Sequence, residues 1–552
     1  MALRKLPIGN DEFREIREQG YYYVDKSLLI RDFLETGDKV SLITRPRRFG
    51  KTLNMTMLRE FFDIAGDSRE LFRGLAVMDT QYAAQMNSRP VIYLSFRNCK
   101  GNTADFLARQ IQTELAREYN RISEEIGSRL PPESYGTKQY RQMLELLGEL
   151  NLPLKHMASG LAVLTQVLHE HYGIAPLLLI DEYDQPVISS YENGYHDKMG
   201  DFFSVFYGMA LKGNPHLGSA FLTGIQRVAK ESIFSQLNNL RVYTVFENRY
   251  AAYFGLTEEE TGKLLSDYGL PLNQKVCEMY DGYYFGQMRM YNPWSILNYA
   301  DSGFLGKYWV NTSSNYLVRQ ALTKASRSFW DDFDILAGGG STAVWLNLDT
   351  SYIERESNYS LWGLLVNAGY ITAEKRIDAD SAVVRIPNEE VMGEFLALVT
   401  EISGMEGQGL GEMFSCLIKK DIKRFLEIYQ ELVISCTSYM DGKENAYHML
   451  FLGMCMSLRG SYQVESNLES GYGRSDIILK SRTSALPSVI IEFKQGKNIE
   501  QLKEKALQQI FDQKYYMGLT GEVLCIGLAH DKKRCAAAYK MMQPAQDAAS
   551  SQ

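Results

Sequence analysis

Over roughly the first 240 residues, short continuous apolar runs alternate with longer stretches whose apolar positions recur at helical spacing. That alternation predicts an α/β core built on a parallel sheet. Val40–Ile43, Val91–Leu94, Pro176–Ile180 (PLLLI) and Ser219–Thr223 (SAFLT) read as four buried strands. Ala104–Tyr119 and Ser159–Tyr172 read as amphipathic helices between them. A helix running to about Phe62 follows the first strand. From about Asn248 the pattern shifts to short helices and aromatic loops. YDGYYFG (Tyr280–Gly286) and YNPWSI (Tyr291–Ile296) hold too much Gly, Pro and Tyr for one long helix. Gly338-Gly339-Gly340-Ser341 reads as a hinge. Ser360–Asn367 then predicts a helix, with Gly369–Thr372 and Ala382–Ile386 as two strands of a small wing. A helical stretch over Gly411–Cys436 leads to a last segment in the order helix (Asn445–Leu458), strand (Asp476–Leu479), strand (Val489–Phe493), helix (Ile499–Tyr515). The tail after Gln543 is small and polar and predicts a frayed end.

Composition narrows the class. Of 552 residues, 45% are apolar and 23% charged, which excludes a disordered or collagen-like chain. No apolar run is long enough for a membrane span, and the first twenty residues lack the apolar core of a secretory signal. The seven cysteines form no CxxC pair, which argues against a disulfide framework or a zinc site and points to reduced thiols in the cytoplasm. The net charge of −8 would repel nucleic acid if it were uniform. It is not uniform. Residues 441–552 hold 14 Lys+Arg against 12 Asp+Glu, a net of +2, leaving −10 on residues 1–440. The C-terminal region is therefore the part least repelled by a phosphate backbone.

Two constellations carry chemistry. The first begins at RPRRFGKT (Arg45–Thr52), between a strand and a helix, where a phosphate-binding loop belongs. Gly50 lets the backbone approach phosphate, and the helix N-terminus offers free N–H groups. Lys51 is placed for the β- and γ-phosphates and Thr52 for Mg²⁺. Arg47, Arg48 and Phe49 complete the loop, each arginine serving either phosphate or a partner. The general pattern wants Gly where this chain has Arg45. LLLIDE (Leu177–Glu182) supplies the second half: Asp181 for the Mg²⁺ shell and Glu182 to polarise the attacking water. A helix N-cap would explain one of these acids but not their pairing with Gly-Lys-Thr. A further strand ends in Thr223-Gly224, where a polar residue can sense the γ-phosphate. Arg227 follows, either compensating transition-state charge or forming a surface salt bridge.

YYYVDKS (Tyr21–Ser27), LITRPRRFGKTLN (Leu42–Asn54), LLIDEYDQP (Leu178–Pro186) and LTGIQRVAKESIFSQLNNL (Leu222–Leu240) together resemble the bacterial AAA-ATPase-like family, whose phosphate loop accommodates Arg45. The resemblance covers about residues 5–240. It implies an additional-strand, AAA+-type ATPase core using ATP and Mg²⁺.

The second constellation lies in the last hundred residues. Asp476 opens one strand, and Glu492-Phe493-Lys494 closes another sixteen positions later. Glu492 and Lys494 share a strand face, with Ile491 and Phe493 opposite. A hairpin-like return over Ser481–Leu486 would bring Asp476 beside Glu492. Two carboxylates and an ammonium are what Mg²⁺-assisted phosphodiester hydrolysis requires. The competing reading is a cross-strand ion pair on a solvated face. Glu444, in the preceding helix, could add a third metal-ligating carboxylate, and Gln509 in the following helix could support the site. His448 reads as a packed or supporting histidine before a ligand. This stretch, about 440–540, resembles the PD-(D/E)XK nuclease superfamily, with Ser475 where Pro is usual.

The expected organisation is an ATPase core over 1–245, a helical lid over 246–345, a winged-helix-like region over 346–404, a helical linker over 405–440 and a nuclease-like α/β domain over 441–545. The expected function is an ATP-dependent, Mg²⁺-requiring nuclease acting on DNA rather than RNA, in defence or mobile-DNA handling. The alternative is an ATP-binding switch whose nuclease fold only binds. An ATPase acting on protein ranks last, because no pore or protease feature is present. A homo-oligomer and an unidentified protein partner both stay open. No membrane partner is expected.

Overall fold

The computed structural model describes residues 3–150, 152–228, 238–309, 315–323, 325–337, 339–350, 358–402, 407–435, 444–455, 458, 461–466, 469–470, 473–483, 485–532 and 534–543. The chain forms two compact units, residues 1–318 with 344–383, and residues 319–343 with 384–552. Among the described residues no helix is long and apolar enough to cross a membrane.

The first unit is built on a five-stranded parallel sheet. Its strands are β1 (Val40–Thr44), β2 (Val91–Ser95), β3 (Leu177–Asp181), β4 (Ser219–Gly224) and β5 (Leu240–Tyr243), in the spatial order β2-β3-β4-β1-β5. β4 thus stands between β1 and β3, the additional-strand arrangement expected. Every residue of β1 and of β3 is buried, as strands covered on both faces require. The register aligns the strands' C-terminal ends: Thr44 faces Gly224, and Ser95 faces Asp181. One rim of the sheet therefore collects the residues that follow each strand. Helix Ala104–Ile126 runs seven residues beyond its expected end and is capped by the Thr103 hydroxyl, which accepts from the Phe106 N–H. It buries Leu107, Ile111, Leu115 and Ile122 against the sheet core.

The small strands expected at Gly369–Thr372 and Ala382–Ile386 are observed at Thr372–Arg376 and Ser381–Arg385. The first is displaced because Gly369, at φ 86°, closes helix Asn358–Ala368, and the Tyr370 N–H turns back to the Leu365 carbonyl.

The second unit holds a mixed five-stranded sheet: β6 (Tyr462–Ser466), β7 (Ile477–Ser481), β8 (Ser488–Gln495), β9 (Val523–Asp531) and β10 (Arg534–Met542), in that spatial order. Only β8 and β9 are parallel, and helix Ile499–Asp512 makes the crossover between them. It packs unusually close. A Cβ on Gly527 of β9 would stand 2.2 Å from the Lys503 carbonyl oxygen, so only glycine fits opposite Glu492 in the register. β6, β9 and β10 were not expected, and the single helix read over Gly411–Cys436 is two, Gly407–Ile418 and Ile422–Ser435. The break falls at Lys420, at φ 66°, with the Asp421 N–H bonded to the Cys416 carbonyl. Gly338 of the expected hinge, Cys436 and the tail from 544 lie outside the described residues.

Candidate functional site

The loop after β1 explains how an arginine stands at its first position. The Arg45 side chain is fully buried, and its Nη1 donates to the carbonyls of Thr44 at 2.8 Å, Tyr243 at 3.0 Å and Thr244 at 2.7 Å. Its guanidinium lies 5.0 Å from the Phe285 ring centre and 5.6 Å from that of Phe254, and burial pushes its pKa down to about 10. Arg45 thus pins the loop to the neighbouring strand end from below. Phe49 is also structural, its ring buried 4.8 Å from Tyr283 and 5.0 Å from Phe285. Gly50 has φ 80°, a conformation costly for any residue with a Cβ.

Above these anchors the functional side chains converge. Lys51 Nζ donates to the Arg45 carbonyl at 3.0 Å and the Pro46 carbonyl at 2.8 Å. Burial lowers its pKa to about 8, against the attraction of Glu182 and Asp181. Asp181 is fully buried. Its Oδ2 accepts from the Thr52 hydroxyl at 2.7 Å and its Oδ1 from the Thr223 hydroxyl at 2.6 Å. Burial, followed by the neighbouring Glu182, raises the Asp181 pKa. A hydroxyl and a carboxylate held together form the kind of oxygen donor pair that a hard divalent cation takes. Glu182 has φ 51° and borders a cavity of about 410 Å³. Arg47, Arg48, Lys51 and Thr52 line the same cavity. Arg47 Nη2 donates to Gln185 Oε1 at 3.3 Å. Arg48 donates to the Tyr308 carbonyl at 2.9 Å and sits 4.7 Å from the Trp294 ring centre. Trp294, also on the cavity wall, offers a flat apolar face to a ligand.

Arg227 stands apart from this cluster. It pairs with Asp349 at 2.7 Å and does not border the cavity. Asp184 is a different device. It accepts from the Ile225 and Gln226 N–H groups at 2.9 and 3.0 Å, fixing the turn after β4, and burial lifts its pKa to about 6. Asp184, Gln185, Trp294 and Arg97 belong to this site but not to the residues expected from the sequence. Arg97 follows β2 as Glu182 follows β3, and that strand-end position was the available signal.

In the second unit the hairpin register places Ile477 opposite Ile491, so Asp476 falls beside Glu492 as expected. Asp476 Oδ2 accepts from the Phe493 N–H at 2.7 Å, and the Asp476 N–H reaches Glu492 Oε2 at 3.4 Å. Glu492 is 2% exposed. Its Oε1 accepts from Lys494 Nζ at 3.0 Å and from Gln509 Nε2 at 2.5 Å. Gln509 in turn reaches the Tyr515 hydroxyl at 3.2 Å. Burial, and then repulsion from Asp476, push the Glu492 pKa up to about 7 despite Lys494. His448 Nε2 donates to the Asp476 carbonyl at 3.0 Å, which fixes the tautomer. Burial lowers its pKa. His448 therefore holds the backbone of the site rather than offering a ligand. Glu444 is the first residue of helix Glu444–Cys455, and its side chain lies outside the described residues.

Comparison with known proteins gives independent matches to both regions. Residues 7–234 match the family model described as predicted AAA-ATPase, and residues 442–539 match that of the PD-(D/E)XK nuclease superfamily. A protein of Azotobacter chroococcum mcd 1, described as an uncharacterized protein in the vnfD 5′ region, is 26% identical over 523 residues, covering 92% of this chain and 93% of its own length.

Proposed function

We propose, from a chain that joins an AAA-ATPase-like domain to a PD-(D/E)XK nuclease-superfamily domain, an ATP-dependent, Mg²⁺-requiring nuclease acting on DNA. The observation that carries this reading is the convergence of Asp476, Glu492 and Lys494, with Gln509 bracing Glu492. The ammonium of Lys494 is positioned to orient the nucleophile or balance charge on the phosphoryl oxygens. Asp476 and Glu492, set side by side by the strand register, are the residues that would hold a divalent cation, which when bound would supply Lewis acidity and a more acidic water. Gln509 and the Phe493 N–H hold the two carboxylates in place before substrate arrives.

At the other site Lys51 and the Gly50 turn are set to hold the β- and γ-phosphates. Thr52 and Asp181 are the residues that would hold Mg²⁺, and Glu182 would orient the attacking water. ATP binding or turnover then gates the nuclease.

The test is cleavage of linear and circular DNA by the full chain with Mg²⁺, with and without ATP, beside Glu492→Ala. Cleavage that needs Glu492 and responds to ATP is the expected result. ATP bound without any cleavage would instead favour a nucleotide switch whose nuclease fold binds nucleic acid.

A further inference from the structure

We propose that Arg97 is the arginine that meets the terminal phosphate of a nucleoside triphosphate within the same chain, and that Asp11 holds it back while the site is free of nucleotide. The inference rests on the nucleotide reading above and deepens it. Arg97 lies just past the C-terminal end of β2, on the rim where β3 delivers Asp181 and Glu182. Its Nη2 donates to Thr52 Oγ1 at 3.1 Å, the hydroxyl that also binds Asp181. The guanidinium therefore stands at the metal-and-phosphate end of the cavity, which it also lines. Asp181 and Glu182 both act on its charge. Arg227, which also follows a strand of this sheet, does not border the cavity and pairs with Asp349 away from it.

The counterweight is Asp11. Its carboxylate forms an ion pair with the same Nη2 of Arg97. Asp11 is not free to follow a moving arginine. Its carbonyl accepts from Thr56 Oγ1 at 2.9 Å, the Phe13 N–H donates to the same hydroxyl at 3.1 Å, and Glu12 pairs with Arg59 at 2.9 Å. Thr56 and Arg59 belong to helix Lys51–Phe62, which starts at the phosphate loop. The N-terminal strap is thus nailed to that helix and presents one acid to one arginine. A triphosphate entering over Lys51 and Thr52 brings a denser negative charge than Asp11 to the same guanidinium. Exchange of Arg97 from carboxylate to phosphate makes the site distinguish a triphosphate from a diphosphate, because only the triphosphate reaches it.

The experiment measures dissociation constants of ATPγS and ADP, with Mg²⁺, for the full-length protein and for Arg97→Ala, Arg97→Lys, Asp11→Asn and the Asp11→Asn/Arg97→Ala double variant. Wild type is expected to prefer ATPγS. Arg97→Ala should lose on the order of 10- to 100-fold of that preference while holding ADP as wild type does. Arg97→Lys should recover part of it, which separates lost charge from lost folding. Asp11→Asn should strengthen ATPγS binding several-fold and do so only when Arg97 is present. An unchanged preference in Arg97→Ala, or an Asp11→Asn effect that persists without Arg97, overturns the proposal. Wild type that binds both nucleotides without preference also overturns it. Wild type that binds neither nucleotide, with Lys51→Ala indistinguishable from it, sinks the nucleotide reading itself.

Discussion

Each sheet buries a carboxylate, Asp181 at the end of β3 and Glu492 within β8, but the two carboxylates keep different company. Asp181 is satisfied by two neutral hydroxyls, Thr52 and Thr223, one on each oxygen. Glu492 has an ammonium and an amide on one oxygen and the Asp476 N–H on the other, with the Asp476 charge nearby. Burial opposes the charge of both. At the first site the compensating groups form a loop with a buried lysine, a shape made for a ligand that carries its own negative charge. At the second, no such cradle is present among the described residues. Two acids at close range need a cation more than they need an anion, and a phosphodiester would follow the cation in. A buried acid on a central strand is a shared device, and the groups bonded to it are what set the two sites apart.

The largest effects should come from separating the two. Asp476→Ala should lower Mg²⁺-dependent DNA cleavage on the order of 10³-fold and leave ATP hydrolysis within about twofold. Lys51→Ala should do the reverse to ATP hydrolysis, with intrinsic metal binding at Glu492 intact. Loss of ATP hydrolysis in Asp476→Ala would break the comparison, since the acids would then belong to one coupled machine.

The next effect is a pH dependence of cation binding at the second site. Metal-free Glu492 carries a proton below about pH 7. Cation binding must expel that proton, so the apparent Mn²⁺ or Mg²⁺ affinity should rise about tenfold per pH unit up to pH 7 and level off above it. Calorimetric titration at pH 5.5, 6.5 and 8 checks both slope and proton release. A flat profile would mean that Asp476, rather than Glu492, is the carboxylate that the cation meets first. A smaller effect, about 10- to 100-fold, is expected on metal affinity for Gln509→Ala, because Gln509 orients Glu492 without being a ligand. Nucleotide binding serves as its control.

The sequence exposed these sites unevenly. β1 through β4 were readable to within a residue or two at each end, because strands buried on both faces are unbroken apolar runs such as Leu177–Asp181. β5, LRVY, is short and partly exposed, so it carries no such run. β10, RCAAAYKMM, holds alanines that favour helix, and its pairing along all nine positions of β9 overrides that preference. The acids were legible for the same reason as the strands: each ends or borders an apolar run. Gln509 was legible only as a polar residue in the helix that follows β8. Side-chain direction was not legible. The letters RPRRFGKT do not tell that Arg45 and Phe49 point under the loop while Arg47 and Arg48 face the cavity. Arg97 sits in no motif, and its role depends on β2 lying next to β3, which is a fact of topology.

The smallest effect tests a last difference, one of backbone rather than charge. Glu182 is held at φ 51°, and Arg48 and Gly50 nearby are also left-handed, whereas Asp476, Glu492, Lys494 and Gln509 are not among the residues of positive φ. A left-handed conformation costs a residue with a Cβ about 1–2 kcal/mol, and Asn tolerates it better than Glu. Glu182→Asn should therefore stabilise the first unit by about 1 kcal/mol, a rise of about 2 °C in Tm, while ATP hydrolysis is lost and nucleotide binding is kept. Removing an acid next to Asp181 could give the same gain by another route, so the melt belongs at two pH values. Backbone strain does not titrate. An equal gain at pH 5 and pH 8 assigns it to φ, whereas a gain that grows with pH assigns it to relief of repulsion on the buried Asp181, and the two sites would then be strained in the same way after all.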